Sequence, residues 1–150
     1  MVLKYNISMT TAKYIKIRLL GLILFILFTN LLAMKFFWYL SIWWFDMPMH
    51  FLGGVFLGFL YIGLGHTIKS SFFTLPSAIL SRSSVIRFVI FVLSIGFAWE
   101  VYEFGVARIT FGDLGTPLDS ISDLFFDIAG GLFAYILVLR NIWANKNNNI

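Results

Sequence analysis

Four apolar stretches, each close to the roughly 20 residues a helix needs to cross a bilayer core, dominate this chain and restrict what it can fold into. With 60% of its 150 residues hydrophobic, 12% charged and a mean hydropathy of +0.90, it carries more apolar surface than one water-soluble core can hide. The expected fold is all-α: a polytopic membrane protein, a bundle of about four transmembrane helices, with the lipid bilayer as its main partner. No nucleic-acid partner is expected. Cysteine is absent, which excludes disulfides, thiolate metal sites and cysteine nucleophiles.

The first span is expected from Ile17 to Met34. Lys4, Lys13, Lys16 and Arg18 precede it as in a secretory signal, but Lys35 and a bulky aromatic segment follow where a small-residue cleavage site would lie, so it reads as an uncleaved helix. Phe36 to Phe45, with Trp38, Tyr39, Trp43 and Trp44, has the amphipathic aromatics of a membrane interface. The second span runs from Asp46 and Pro48 to Thr67, with Asp46 a capping-type residue. Lys69 to Ser84, which includes Ser70, Ser71, Pro76, Ser81, Ser83 and Ser84, reads as an interfacial loop, and Val85 to Ala107 as the third span. Arg108 to Thr116 carries the turn residues Gly112, Asp113 and Gly115. Thr116-Pro117-Leu118-Asp119 then opens a fourth span that ends at Leu139 and Arg140. Residues 1–140 are thus one transmembrane domain, and 141–150 a polar, disordered cytoplasmic tail.

Basic residues set the orientation. Lys4, Lys13, Lys16, Arg18, Lys69, Arg82, Arg87, Arg140 and Lys146 fall on one side of the alternating spans, and only Lys35 and Arg108 on the other. The positive-inside rule then places both termini in the cytoplasm of a cell with this chain in its plasma (inner) membrane. All the acids, Asp46, Glu100, Glu103, Asp113, Asp119, Asp123 and Asp127, lie in the outer half. The rule concerns bases and does not require this gathering.

On a helix Glu100 and Glu103 are about 60° apart, with Gly96 and Ala107 on their face. Asp119, Asp123 and Asp127 recur every fourth residue, drifting by about 40° per step, and Gly130 and Ala134 continue the stripe. His50, Gly54 and Gly58 form a third stripe, so three polar faces can pack together. A charged side chain facing lipid costs about 2.5–3.5 kcal/mol on insertion scales, so these acids belong inside the bundle. Gathered there they repel, and need shared protons, a basic partner or a bound cation. Oxygen-rich ligands suit magnesium, calcium or manganese, and a histidine also admits zinc or iron. Candidate metal ligands are His50, Glu100, Glu103, Asp119 and Asp123, with Glu100, Glu103 and Asp123 as candidate catalytic groups. Against this stand plainer readings: Asp46 and Asp119 as helix caps, Asp113 as a solvated loop acid, His66 and Arg108 as interfacial residues, and the acids as a network stitching helices together. Asp127 lies deeper than the others, about 10 Å along the helix from Ser120, where burial favours a functional or network role.

The run Phe45-Asp46-Met47-Pro48-Met49-His50-Phe51-Leu52-Gly53, then Glu100-Val101-Tyr102-Glu103, then Asp119-Ser120-Ile121-Ser122-Asp123-Leu124 with Gly130 following, resembles the YjdF-type family of uncharacterised bacterial membrane proteins. More distantly it is similar to VanZ-type proteins, which share an aspartate and histidine opening one span and an aspartate-rich final span. Asp127 departs from the small or amide residue expected there. The resemblance implies a small membrane protein with a polar intramembrane site and supplies no reaction. Three functions stay open: a metal-assisted enzyme acting on a lipid or envelope precursor, a proton- or cation-binding transporter or channel component, and a non-catalytic lipid- or drug-binding scaffold.

Overall fold

A computed structural model describes residues 9–68, 72–73, 82–110 and 117–147. Its helices are α1 (Met9–Lys35), α2 (Trp38–Ser41), α3 (Asp46–Thr67), α4 (Arg82–Thr110) and α5 (Pro117–Asn147). All except α2 are long and apolar enough to cross a membrane, and the chain is a multi-pass membrane protein. α1 exposes Leu20, Leu24, Phe25, Phe28 and Leu31 along its length. In water that surface would aggregate, whereas in a bilayer it is solvated by lipid chains.

α3 and α5 form the spine, and their backbones touch. A Cβ on Gly54 would strike the Asp127 carbonyl, one on Gly130 would strike the Phe51 carbonyl, and one on Gly58 would lie 2.7 Å from both the Gly131 oxygen and the Ala134 Cβ. The small-residue stripes are therefore a packing seam, which lipid cannot drive by the hydrophobic effect and which rests on close van der Waals contact. α1 packs on α3, while α4 packs on α5 and more lightly on α3.

The end of the bundle opposite the acids is closed by an apolar core. Ile15, Phe59, Ile62, Phe88, Val92 and Val138 are fully buried there. The Tyr61 ring lies 5.4 Å from those of Phe88 and Phe73 and 5.3 Å from that of Phe91, and its hydroxyl donates to the Phe72 carbonyl at 2.8 Å. That bond satisfies the buried Tyr61 hydroxyl.

Several boundaries differ from expectation. Arg82, Ser83 and Ser84 open α4 instead of ending a loop: Ser84 is buried and accepts a bond from Arg87 Nη2 at 3.5 Å, one helical turn on. Arg108 is still helical, in the last turn of α4. α1 starts eight residues earlier than Ile17. α5 does not stop at Arg140 but continues to Asn147, because Asn141 accepts a hydrogen bond from the buried Thr11 hydroxyl of α1 (3.4 Å) and Ile142 packs on the core. Residues 141–147 are therefore helix rather than disordered tail. Lys69, Ser70, Ser71, Pro76, Ser81, Gly112, Asp113, Gly115, Thr116 and residues 148–150 lie outside the described residues, as does the side chain of His66.

The aromatic segment is a turn of helix between bends. Phe37 adopts a left-handed conformation (φ 56°, ψ 35°), unusual for a bulky residue, and this ends α1. Its carbonyl accepts from the Ser41 hydroxyl at 2.9 Å. Trp38 and Tyr39 pack edge-on against Phe45, and Trp43 is left largely exposed.

Candidate functional site

At the acidic end, His50 is one turn into α3 and only 5% exposed. Four carboxylates from three helices converge on its ring. Nε2 lies 3.8 Å from Asp46 Oδ1 on its own helix and 3.8 Å from both Glu100 Oε1 and Glu103 Oε2 on α4. Nδ1 faces Asp127 Oδ1 of α5 at 3.4 Å. The spacing explains how few elements suffice: Asp46 and His50, and Asp123 and Asp127, are each one turn apart, so each pair projects from one face. Asp127 can come so close because Gly53, Gly54 and Gly96 surround it. A Cβ on Gly96 would meet its carboxylate, and one on Gly53 would be 3.8 Å from Oδ1.

The centre is graded in depth. His50, Asp123 and Asp127 are buried and Glu100 nearly so, while Asp46 and Glu103 are about one-third exposed and form the mouth. The contacts at 3.8 Å are too long to be hydrogen bonds. Glu100 Oε1 and Asp123 Oδ1 are fully buried and accept no hydrogen bond from the described residues. Buried carboxylate oxygens without donors are costly, and one imidazole cannot offset five acids.

Two sets of side chains bring their ligand atoms within 4.8 Å of one another: Asp46, His50 and Glu103, and His50, Glu100 and Asp123. For oxygen and nitrogen ligands at about 2.0–2.2 Å from a tetrahedral cation, neighbouring ligand atoms fall roughly 3.3–3.6 Å apart, so the His50 contacts need close by only a few tenths of an ångström. Asp127 is placed to accept the Nδ1–H. That leaves the Nε2 lone pair facing the other carboxylates, the arrangement in which a histidine ligates metal.

Of the expected residues, His50, Glu100, Glu103 and Asp123 are brought together. Asp119, exposed in the first turn of α5, belongs to neither ligand set. Sequence reasoning undervalued two others. Asp46 does not cap α3, since Phe45 holds the cap position and Asp46 lies inside the first turn, where its carboxylate reaches His50. Asp127 is the closest partner of His50. The signal for both was present as an acid four residues from a site residue on the same helix.

Beside the centre is a cavity of about 380 Å³ between α1, α3 and α4. Its walls are apolar, with Ile26, Phe56, Leu57 and Ile95 among them, and His50, Asp127 and Glu103 form its polar end. At the rim the Tyr39 hydroxyl donates to Asn30 Oδ1 at 2.9 Å. Partial burial, followed by the negative charges of Asp46 and Glu103, pushes that hydroxyl up to about 12, so it remains a donor throughout the physiological range.

No curated protein and no solved structure matches the chain, and the likeness to VanZ-type proteins gains no support from these comparisons. Residues 2–143 match the family described as "Predicted membrane protein (DUF2238)", the family to which the YjdF-type resemblance points, and the chain belongs to that family.

Proposed function

We propose that this protein is a divalent-metal-dependent membrane enzyme that hydrolyses a lipid or envelope precursor at the His50 centre. One observation carries the reading: a buried histidine held through Nδ1 by Asp127 turns Nε2 toward carboxylates of α3 and α4, and two buried carboxylate oxygens of the cluster, on Glu100 and Asp123, have no donor among the described residues. A divalent cation would offset their charge, polarise a scissile carbonyl or phosphoryl group and acidify water. The more deeply buried set, His50, Glu100 and Asp123, would supply the ligand atoms. Glu103, about one-third exposed at the mouth, would stay free of the cation and take the proton of the attacking water. The water oxygen bonds to the carbonyl carbon or phosphorus, the leaving oxygen departs, and Glu103 returns the proton to it.

The opposite end of the bundle, packed with Phe59, Phe88, Val92 and Val138, supports a closed site rather than a path for ions. The purified protein, dialysed against zinc or manganese, should retain cation in stoichiometric amount. Asp127→Asn keeps an acceptor for Nδ1 but loses the charge, and should weaken retention by about 10- to 100-fold. Failure of the wild type to retain either metal would sink the metal reading.

In the same proposal both termini are cytoplasmic and the acidic end faces outward, in a bacterial inner membrane. The chain has no cysteine, which makes the topology easy to test. Trp43→Cys in intact cells should react with a membrane-impermeant maleimide, and Ala144→Cys only after permeabilisation. The reverse pattern would invert the orientation.

A further inference from the structure

The cavity beside His50 has an unusual position for an enzyme pocket. α1 and α4 both rest on α3, but among the described residues they make no extensive contact with each other. The cavity is the gap between them, and its lips, Leu27 on α1 and Trp99 on α4, are each about half exposed on flanks that lie within membrane-spanning helices. It therefore opens sideways into the hydrocarbon of the bilayer as well as toward the acidic mouth.

From this geometry we infer that the ligand of the centre is a bilayer lipid: one hydrocarbon chain enters laterally between α1 and α4, and an oxygen-bearing headgroup ester lies against His50, Asp127 and Glu103. The inference rests on the proposed function for what happens at the polar end, narrows the substrate to a bilayer lipid and adds its route. The shape fits. About 380 Å³ lies within the roughly 300–1,000 Å³ of small-molecule sites, and the walls are aliphatic and aromatic up to one polar end. A water-soluble polar substrate would leave those walls without a partner. A lipid chain moving in from the bilayer gives up no hydration, and each methylene exchanges lipid contacts for protein contacts. The Tyr39–Asn30 pair at the rim lies where a headgroup would cross from hydrocarbon to water, and with the Tyr39 proton given to Asn30 Oδ1 it offers the Asn30 side-chain N–H groups to it.

The test uses the full chain in phosphatidylethanolamine–phosphatidylglycerol vesicles containing a phosphatidylglycerol analogue with a diazirine midway along one chain. After irradiation, adducts should concentrate on peptides containing Ile26, Leu57 and Ile95 and be competed by unlabelled phosphatidylglycerol. Ile95→Trp, which fills the cavity, should reduce that labelling by about tenfold, whereas Leu20→Trp on the exposed face of α1 should leave it unchanged. If Ile95→Trp is not monodisperse, Leu27→Trp at the lip serves instead. Adducts spread evenly over the exposed faces, uncompeted and indifferent to the cavity-filling variant, would overturn the inference. Bound metal is measured on the same samples. Cavity labelling in a wild type that holds no metal would uphold the lipid route while removing the metal chemistry.

Discussion

Gly130→Val is expected to separate α3 from α5 and abolish the site along with much of the fold. A Cβ at Gly130 would strike the Phe51 carbonyl and lie 2.9 Å from the Val55 amide nitrogen, so the obstacle is backbone that cannot rotate away. Overpacking where side chains can give way costs about 1–3 kcal/mol, and this position should reach or exceed the upper end. The damage would extend to function because Asp127, one turn from Gly130, meets His50 across the same seam. In detergent, scanning fluorimetry should show the transition of Gly130→Val strongly lowered or lost. Gly105→Ala is the control: a Cβ there meets nothing within 4 Å, and replacing a helical glycine with alanine should be neutral or stabilising by up to about 1 kcal/mol. Equal destabilisation by both would mean that the seam is not what holds the bundle.

His50→Ala should eliminate metal retention. The histidine is the member common to both ligand sets, so its loss breaks each of them at once. The effect should exceed the roughly 10- to 100-fold expected when only a supporting carboxylate is altered. Asp119→Asn, on the same acidic stripe but exposed and outside both sets, should bind as the wild type does. Equilibrium dialysis of the three proteins at one pH separates these outcomes, and a His50→Ala protein that binds normally would show that the cation lies elsewhere.

Much of this arrangement is legible in the sequence because lipid makes simple demands. Apolar length gives the spans, and α3 matches its expected limits, Asp46 to Thr67. The fourfold repeat of Gly54 and Gly58 against Gly130 and Ala134 points to the seam, since only small residues let backbones meet. The expense of charge in hydrocarbon pointed to His50, Glu100, Glu103 and Asp123 facing inward together.

What was not legible depends on partners that periodicity does not reveal. Asp46 looks like a cap from its place before an apolar run, and only the position of Nε2 shows its carboxylate facing inward. Asp119 and Asp127 share a stripe, yet eight residues of rise, about 12 Å, separate an exposed end from the buried ring of His50. The extension of α5 past Arg140 depends on Thr11, 130 positions away in the chain. The lateral opening between α1 and α4 depends on two helices making no extensive contact among the described residues, for which no local pattern codes.

In the proposed centre His50 ligates a divalent cation through Nε2 amid the carboxylates. Electron spin echo envelope modulation on the manganese-loaded protein measures this directly, because a directly bound imidazole nitrogen modulates the manganese echo. Modulation from one histidine nitrogen is expected in wild type and in an Asp119→Asn variant, and none in His50→Ala. Tightly bound manganese with no nitrogen modulation, or with modulation that survives His50→Ala, would contradict it.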